Sequence, residues 1–429
     1  MDRVFLMKGN LCHTPAKDRL EIFEHAYLLC RNGRCGGVFS GIPPEYAGVP
    51  VRDYGDCLIL PGMVDLHIHA PQYVYRGTGM DDELLVWLNR CAFPEEARYA
   101  DIAYAERAYR IFARAMDRSA TTRAVIFGTI HRDATLCLMD LMEQTGIVSY
   151  VGKVNMDRNA PPALTEAGPE RSAFDTFGFV NAAIRRKYRR TRPILTPRFI
   201  PSCSDSLLNE LSEIQRAYRL PVQSHLSENP GEIRLVQSLV PEAAFYGDAY
   251  DRFGLFGRGA RTVMAHCVYS SDEEVARIRK NGVWIAHCPG SNMNVASGIA
   301  PIRKYLDLGL RMGLGSDVAG GQTESMFRAV TDAVQVSKLY WRCLDPGARP
   351  LSFSESLYLA TKGGGSFFGK VGSFETGYEF DAIVLDDSSL PSPRPLSVRD
   401  RLERAVYLGL DRDGIVEKII RGRPRPAGD

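Results

Sequence analysis

The chain has no pair of cysteines spaced CxxC; its ten cysteines, at positions 12, 30, 35, 57, 91, 137, 203, 267, 288 and 343, are scattered. That scatter excludes a thiolate-based structural zinc site or a CxxC redox motif and reads as reduced thiols in a cytosolic protein. No stretch approaches the roughly 18 consecutive apolar residues of a membrane span. The start, MDRVFLMKGN, has no basic region followed by a long apolar one, so a secretory signal is not expected either. An excess of charge is missing as well: 53 Lys and Arg against 51 Asp and Glu leave +2, which predicts no strong polyanion partner. Cytoplasmic is the expected location.

What is present resembles the composition of a globular protein. Hydrophobic residues at 45% and charged residues at 24% exclude a disordered or fibrous class. With 429 residues, the chain suits one large barrel of roughly 250 to 400 residues plus a minor module. Residues 1–60 are short apolar runs (VFLMKG, AYLLC, GGVFSG, CLIL) broken by Gly, Pro and charged turns, a small β-module. From Pro61 to about residue 370, brief β-branched runs alternate with amphipathic stretches such as residues 95–116, whose apolar spacing is helical. The runs Val64–His69, Thr122–Thr129, Val148–Asn155, Ile194–Phe199, Pro221–His225, Thr262–His266, Val283–His287 and Met312–Asp317 predict parallel strands. The expected fold is an α/β TIM-type (β/α)8 barrel over 61–370, with 1–60 and 371–429 forming a small β-sandwich domain from both termini.

The run PGMVDLHIHA, residues 61–70, supplies the first chemistry. On a strand, alternation sends His67 and His69 to the same face, where two imidazoles can chelate one metal. His225, His266, His287 and Asp317 end later predicted strands, and side chains at those ends gather at the catalytic face of such a barrel. His67, His69, His225 and Asp317 form the expected metal set, three nitrogens and a carboxylate suited to one zinc or ferrous ion. His266 is either a fifth ligand or, the favoured reading, a hydrogen-bond donor to the reacting water and the substrate. His287 is open between a supporting and a packing role. Lys153, a candidate for a metal-bridging carbamate, has no lysine partner at the end of the fourth strand, which favours a single-metal site. Glu228, three residues after His225 in HLSEN, is placed to shuttle a proton.

The runs PGMVDLHIHAPQY, GTGMDDELLVWLNRCAFPEEAR, VGKVNMD, TPRF, QSHLSEN, AHC, HCPGSNMN and GLGSDVAGG together resemble the guanine deaminases of the amidohydrolase superfamily, through nearly the whole chain. HxH, HxxE and SD are similar to the broad superfamily, whereas HAPQY, WLNR…FPEEAR and TPRF point to the guanine-specific branch. The resemblance implies hydrolytic attack at C2 of guanine, with Glu228, Asp317 and His266 as catalytic groups, giving xanthine and ammonia. It implies substrate contacts from Gln72, Arg198, Phe199, His225 and Glu228, with Arg198 suited to O6 and Phe199 against the ring. It also implies a small-molecule purine as partner and a homodimer. Ile200, Pro201 and Asn294 lie where a pocket could be tuned. Another amino-purine, an oxidised guanine, a pterin or an aminotriazine is therefore the alternative substrate, and a non-catalytic relative is the rival of a different class. The deaminase type built on HxE with PCxxC is excluded, because the chain has no CxxC.

Two basic runs invite a nucleic-acid reading, IRRKYRRTRP at 184–193 and RGRPRPAGD at 421–429. The first stands at an expected helix C-terminus, where basic side chains are favourable, and the second reads as a frayed tail; no nucleic acid or membrane partner is expected.

Overall fold

A computed structural model describes residues 4–426. The N-terminal segment forms β1 (Val4–Ala16), β2 (Arg19–Arg31), β3 (Arg34–Phe39) and β4 (Val51–Pro61). Parallel strands follow in two groups. The first holds β5 (Met63–His69), β6 (Thr121–Phe127), β7 (Val148–Gly152), the two-residue β8 (Val154–Asn155), β9 (Thr191–Pro193) and β10 (Thr196–Pro197). The second holds β11 (Val222–Leu226), β12 (Thr262–His266), β13 (Trp284–His287) and β14 (Arg311–Leu314). The C-terminal segment adds β15 (Ala382–Leu385), β16 (Ile415–Ile420) and β17 (Arg423–Pro426).

The parallel strands form two four-stranded sheets, β5-β6-β7-β9 and β11-β12-β13-β14, and the separate pair β8-β10. A bridge between Leu195 and Val222 links the two four-stranded sheets on one side, and on the other the Asp317 N–H donates to the His67 carbonyl at 2.8 Å. Each predicted strand has its counterpart, but two are interrupted. The third breaks at Lys153 between β7 and β8, and the fourth divides into β9 and β10, ending in Pro193 and Pro197. Proline has no N–H to give a ladder, so a strand carrying two is cut short and Arg198 and Phe199 fall in the turn beyond it. The helical stretch 95–116 also divides: a tight turn spans Arg98–Ala100, and Asp101 then caps the helix Ile102–Arg118 by accepting from the Ala103 N–H.

Strands from both termini share one hydrogen-bonded sheet of seven, ordered β17-β16-β15-β4-β1-β2-β3, where two facing sheets were expected. Irregularities between Gly9 and Leu11 and between His13 and Ala16 interrupt its longest pairing. Between β15 and β16 stands the helix Val398–Tyr407, absent from the all-β expectation for this segment; Ser397 starts it by accepting from the Asp400 N–H. The tail corrects a second expectation. Arg423–Pro426 is not frayed but pairs with β16, while residues 427–429 lie outside the described part. The basic runs engage acidic groups of the same chain: Arg186 pairs with Asp140, Arg421 with Glu379 and Arg425 with Asp117. All ten cysteines are free thiols, and no described helix is long and apolar enough to cross a membrane.

Candidate metal centre and purine pocket

His67 and His69 lie two apart on β5, so both imidazoles reach one side of the strand. His225 stands near the end of β11, and Asp317 follows β14 in the loop after Leu314. The structure brings these four together. His69 Nε2 lies 3.2 Å from both His67 Nε2 and His225 Nε2, and Asp317 Oδ1 lies 3.1 Å from His67 Nε2 and 3.4 Å from His69 Nε2. Ligands held at about 2.1 Å around a tetrahedral ion stand about 3.4 Å apart, so these spacings suit a ligand set. A carbonyl accepts and never donates, and His225 Nδ1 meets the Arg198 carbonyl at 2.6 Å. The ring proton is therefore on Nδ1, leaving the Nε2 lone pair aimed at the cluster, as a metal-binding imidazole requires.

The electrostatics agree with that fit. Burial, reinforced by neighbouring imidazoles, holds His69 and His225 far below the ordinary histidine range, and burial lowers His67 against the pull of Asp317. Neutral rings are the ligating form. Burial alone would raise Asp317, but His67, His266 and His69 outweigh it and keep the carboxyl ionised. Both Asp317 and His266 have left-handed backbones, φ 48° and 73°, a conformation uncommon outside glycine. Asp317 is fixed there by its bond to His67 and by its neighbour Ser316, whose N–H and hydroxyl donate to Asp65 at 3.0 and 2.5 Å.

Glu228 and His266 face the same space. Burial pushes the Glu228 carboxyl up to about 7 against the lowering effect of His266. Ser297 Oγ donates to Glu228 Oε1 at 2.8 Å, and Glu232 accepts from the Glu228 N–H at 3.1 Å, which fixes the direction of the side chain. For His266, burial opposes protonation, but Glu228 and Asp317 outweigh it and raise the pKa. Its Nδ1 meets the Asn292 carboxamide oxygen at 2.9 Å; its Nε2 stands 3.4 Å from Glu228 and 3.7 Å from Asp317. That Nε2 has no hydrogen-bond partner among the described residues.

The cavity above the cluster has about 450 Å³ of free space including its mouth, and Gln72, Arg198 and Phe199 line it together with Leu84, Trp87 and Val295. Gln72 is not a surface amide: it is buried, its Nε2 donates to Glu96 Oε1 at 2.8 Å, and its Oε1 accepts from the Ala319 N–H at 3.1 Å. Arg198 forms a bidentate pair with the same Glu96. Nothing in the run FPEEAR marks Glu96 for this position. A helical glutamate ordinarily faces water, and its partner lies 102 residues away. Lys153 is committed elsewhere, to Glu166 at 2.5 Å and the Val154 carbonyl at 3.0 Å, and does not join the cluster. His287 is buried with neither ring nitrogen hydrogen-bonded among the described residues, and burial together with His266 takes its pKa down to about 3.

Residues 58–423 match the amidohydrolase family. The guanine deaminase of Mus musculus is 38% identical over 374 residues, 85% of this chain and 81% of that protein. The guanine deaminase of Escherichia coli is 34% identical over 418 residues, 94% and 92% of the two chains. Among solved structures, a guanine deaminase from C. acetobutylicum with guanine bound in its active site has a TM-score of 0.95 at 46% identity, covering 98% of this chain and 100% of that one. A match spanning this much of the chain, with the clustered histidines and aspartate inside it, establishes that the chain belongs to the amidohydrolase family.

Proposed function

We propose that this chain is a guanine deaminase, hydrolysing guanine to xanthine and ammonia. The observation that carries the reading is its likeness, at 46% identity and a TM-score of 0.95, to a guanine deaminase with guanine bound, in a chain whose cluster and amide–guanidinium pair line one cavity. We assign His67, His69, His225 and Asp317 as ligands of one divalent ion, zinc or ferrous iron. When bound, that ion supplies Lewis acidity that brings the pKa of water toward about 7.

The chain's own residues do the rest. Glu228 takes one proton of the attacking water and delivers it to N3 of the ring; the second, from the oxygen added at C2, passes to the amine as the C2–N bond breaks, leaving the C2 carbonyl and releasing ammonia. His266 Nε2, directed into the site, hydrogen-bonds the oxygen added at C2, and Asp317 accepts from the water. Gln72 and Arg198 read the O6 edge. Arg198 has five N–H donors, so the nitrogens that hold Glu96 keep further hydrogens for O6. Phe199 lies against the purine face, and His225 and Glu228 border the substrate as well.

We further read the two four-stranded sheets as halves of one (β/α)8 barrel over 61–370, supported by the Leu195–Val222 bridge and the Asp317–His67 hydrogen bond. We read the described parts of 1–60 and 371–429 as one small domain built on their shared sheet, in the place of the expected β-sandwich. We place the protein in the cytoplasm as a homodimer. Exposed Phe174, Phe177 and Ile184 on the helix Pro169–Arg186 offer an apolar stripe for such pairing, and light scattering of the purified protein tests it. The function is tested by following the ultraviolet spectrum of guanine as it becomes xanthine, with metal analysis of the same sample. Turnover of a pterin, an aminotriazine or another amino-purine with negligible turnover of guanine by metal-loaded protein overturns it.

A further inference from the structure

Glu96, on the short helix Phe93–Ala97, holds both recognition side chains at once. It is 1% exposed. Arg198 Nη1 and Nη2 meet its Oε2 and Oε1 at 2.5 and 2.9 Å, and Gln72 Nε2 donates to Oε1 at 2.8 Å. Because the Ala319 N–H donates to Gln72 Oε1 at 3.1 Å, the amide cannot turn over without losing both bonds. The Phe93 ring lies 5.0 Å from the guanidinium carbon, closing its apolar side. Glu96 thus fixes the orientation of Gln72 and cancels the charge of Arg198 in a place where an unpaired cation would be costly.

That second effect bears on what the pocket releases. Deamination exchanges an amine for a carbonyl, and the product carries a ring N–H beside two carbonyls, acidic enough to ionise near neutral pH. An uncompensated guanidinium would attract that anion and keep it. Resting on the guanine reading, we infer that Glu96 is a positioning residue that neutralises Arg198, so that the pocket accepts a neutral purine and lets the ionised product go. Tyr75, Tyr99, Tyr109 and His131 lie within electrostatic reach of Glu96, and His67 and His69 within that of Arg198; burial favours the neutral form of each.

The test compares Glu96→Gln, which keeps the shape and removes the charge, with Glu96→Asp, which keeps the charge and shortens the reach. Metal-loaded enzyme is assayed with guanine, and inhibition by xanthine is measured at about pH 6 and about pH 9. We expect Glu96→Gln to raise KM more than it lowers kcat, and to tighten xanthine inhibition about tenfold at the higher pH alone, an effect of ordinary electrostatic size. Glu96→Asp should raise KM while leaving xanthine inhibition as in the unaltered enzyme. Unchanged xanthine inhibition in Glu96→Gln at both pH values overturns the inference, and so does equal tightening in the two variants. If Glu96→Gln does not fold, Glu96→Asp decides: a higher KM with ordinary xanthine inhibition supports the inference, and tighter inhibition overturns it. Failure of the guanine reading is separate, because it shows as absent guanine turnover in the unaltered enzyme.

Discussion

Glu228 and Asp317 are both buried carboxyls within 4 Å of His266 Nε2, yet their surroundings drive them apart. Glu228 is held near 7 by burial, and Asp317 is kept ionised by its histidines. Under the proposed mechanism a pair split in this way would divide the labour, one group to carry a proton and one to hold charge. Glu228→Gln should therefore retain its metal on elemental analysis while losing about 10² to 10⁴ in kcat, the range for loss of a proton-transfer group. Near-normal turnover would remove Glu228 from that role. Asp317→Ala should lose both metal and turnover, and a variant still binding the ion tightly in a chelator competition would place the fourth ligand elsewhere. The cluster was legible in the sequence because alternation and strand ends are local patterns: His67 and His69 follow from one, His225 and the neighbourhood of Asp317 from the other. Glu96 was not legible, since its direction depends on a helix docked against a turn far along the chain.

Among the elements, what the sequence hid is mostly a matter of backbone chemistry. Apolar runs revealed the parallel strands, but Pro193 and Pro197 divided the fourth, and a helix opened by Ser397 stands in a segment that reads as β. The helix Phe353–Tyr358 shows how strongly a cap can fix an element. Ser352 accepts from the Glu355 N–H while Glu355 accepts from the Ser352 N–H, and Arg303 and Arg349 each reach the carboxylate at 2.8 Å. Burial would raise the Glu355 pKa, but the Arg303 bond, the Ser352 N–H and Arg349 outweigh it and hold it at about 2. The folded state thus binds that proton more weakly than the unfolded one. Its stabilisation is present above about pH 4.5 and is lost as pH falls toward about 2. Glu355→Gln should lower the denaturation midpoint at neutral pH, and the gap to the unaltered protein should close across that acid window. A gap constant down to pH 2 would refute the assignment.

At the scale of the whole molecule, the seven-stranded sheet is joined to the parallel strands by buried charge. Arg123 on β6 reaches Asp381 at 2.6 Å and Glu379 at 2.8 Å, and the Arg421 N–H donates to Asp381 at 2.8 Å. Arg123 and Asp381 are both fully enclosed, so removing the guanidinium takes the buried counter-charge from the Asp381 carboxylate. Arg123→Met should cost about 3 kcal/mol in chemical denaturation, and Arg123→Met with Asp381→Asn should recover part of it. No recovery in the double variant would show that shape rather than charge holds the joint. The tail residue in this network, Arg421, lies in the stretch that looked frayed in the sequence, because the carboxylates that hold it, Glu379 and Asp381, come from the approach to β15. Arg198 has a different reach. Its carbonyl meets His225 and its guanidinium lines the cavity, so under the proposed function one residue would serve the ligand cluster through its main chain and the substrate through its side chain. Any route to a new substrate that reshapes this turn would disturb the chemistry along with the preference, whereas Glu96 and Gln72 stand on other elements and bear on the pocket through their side chains. Diversification of this pocket, natural or engineered, is therefore channelled toward those two side chains.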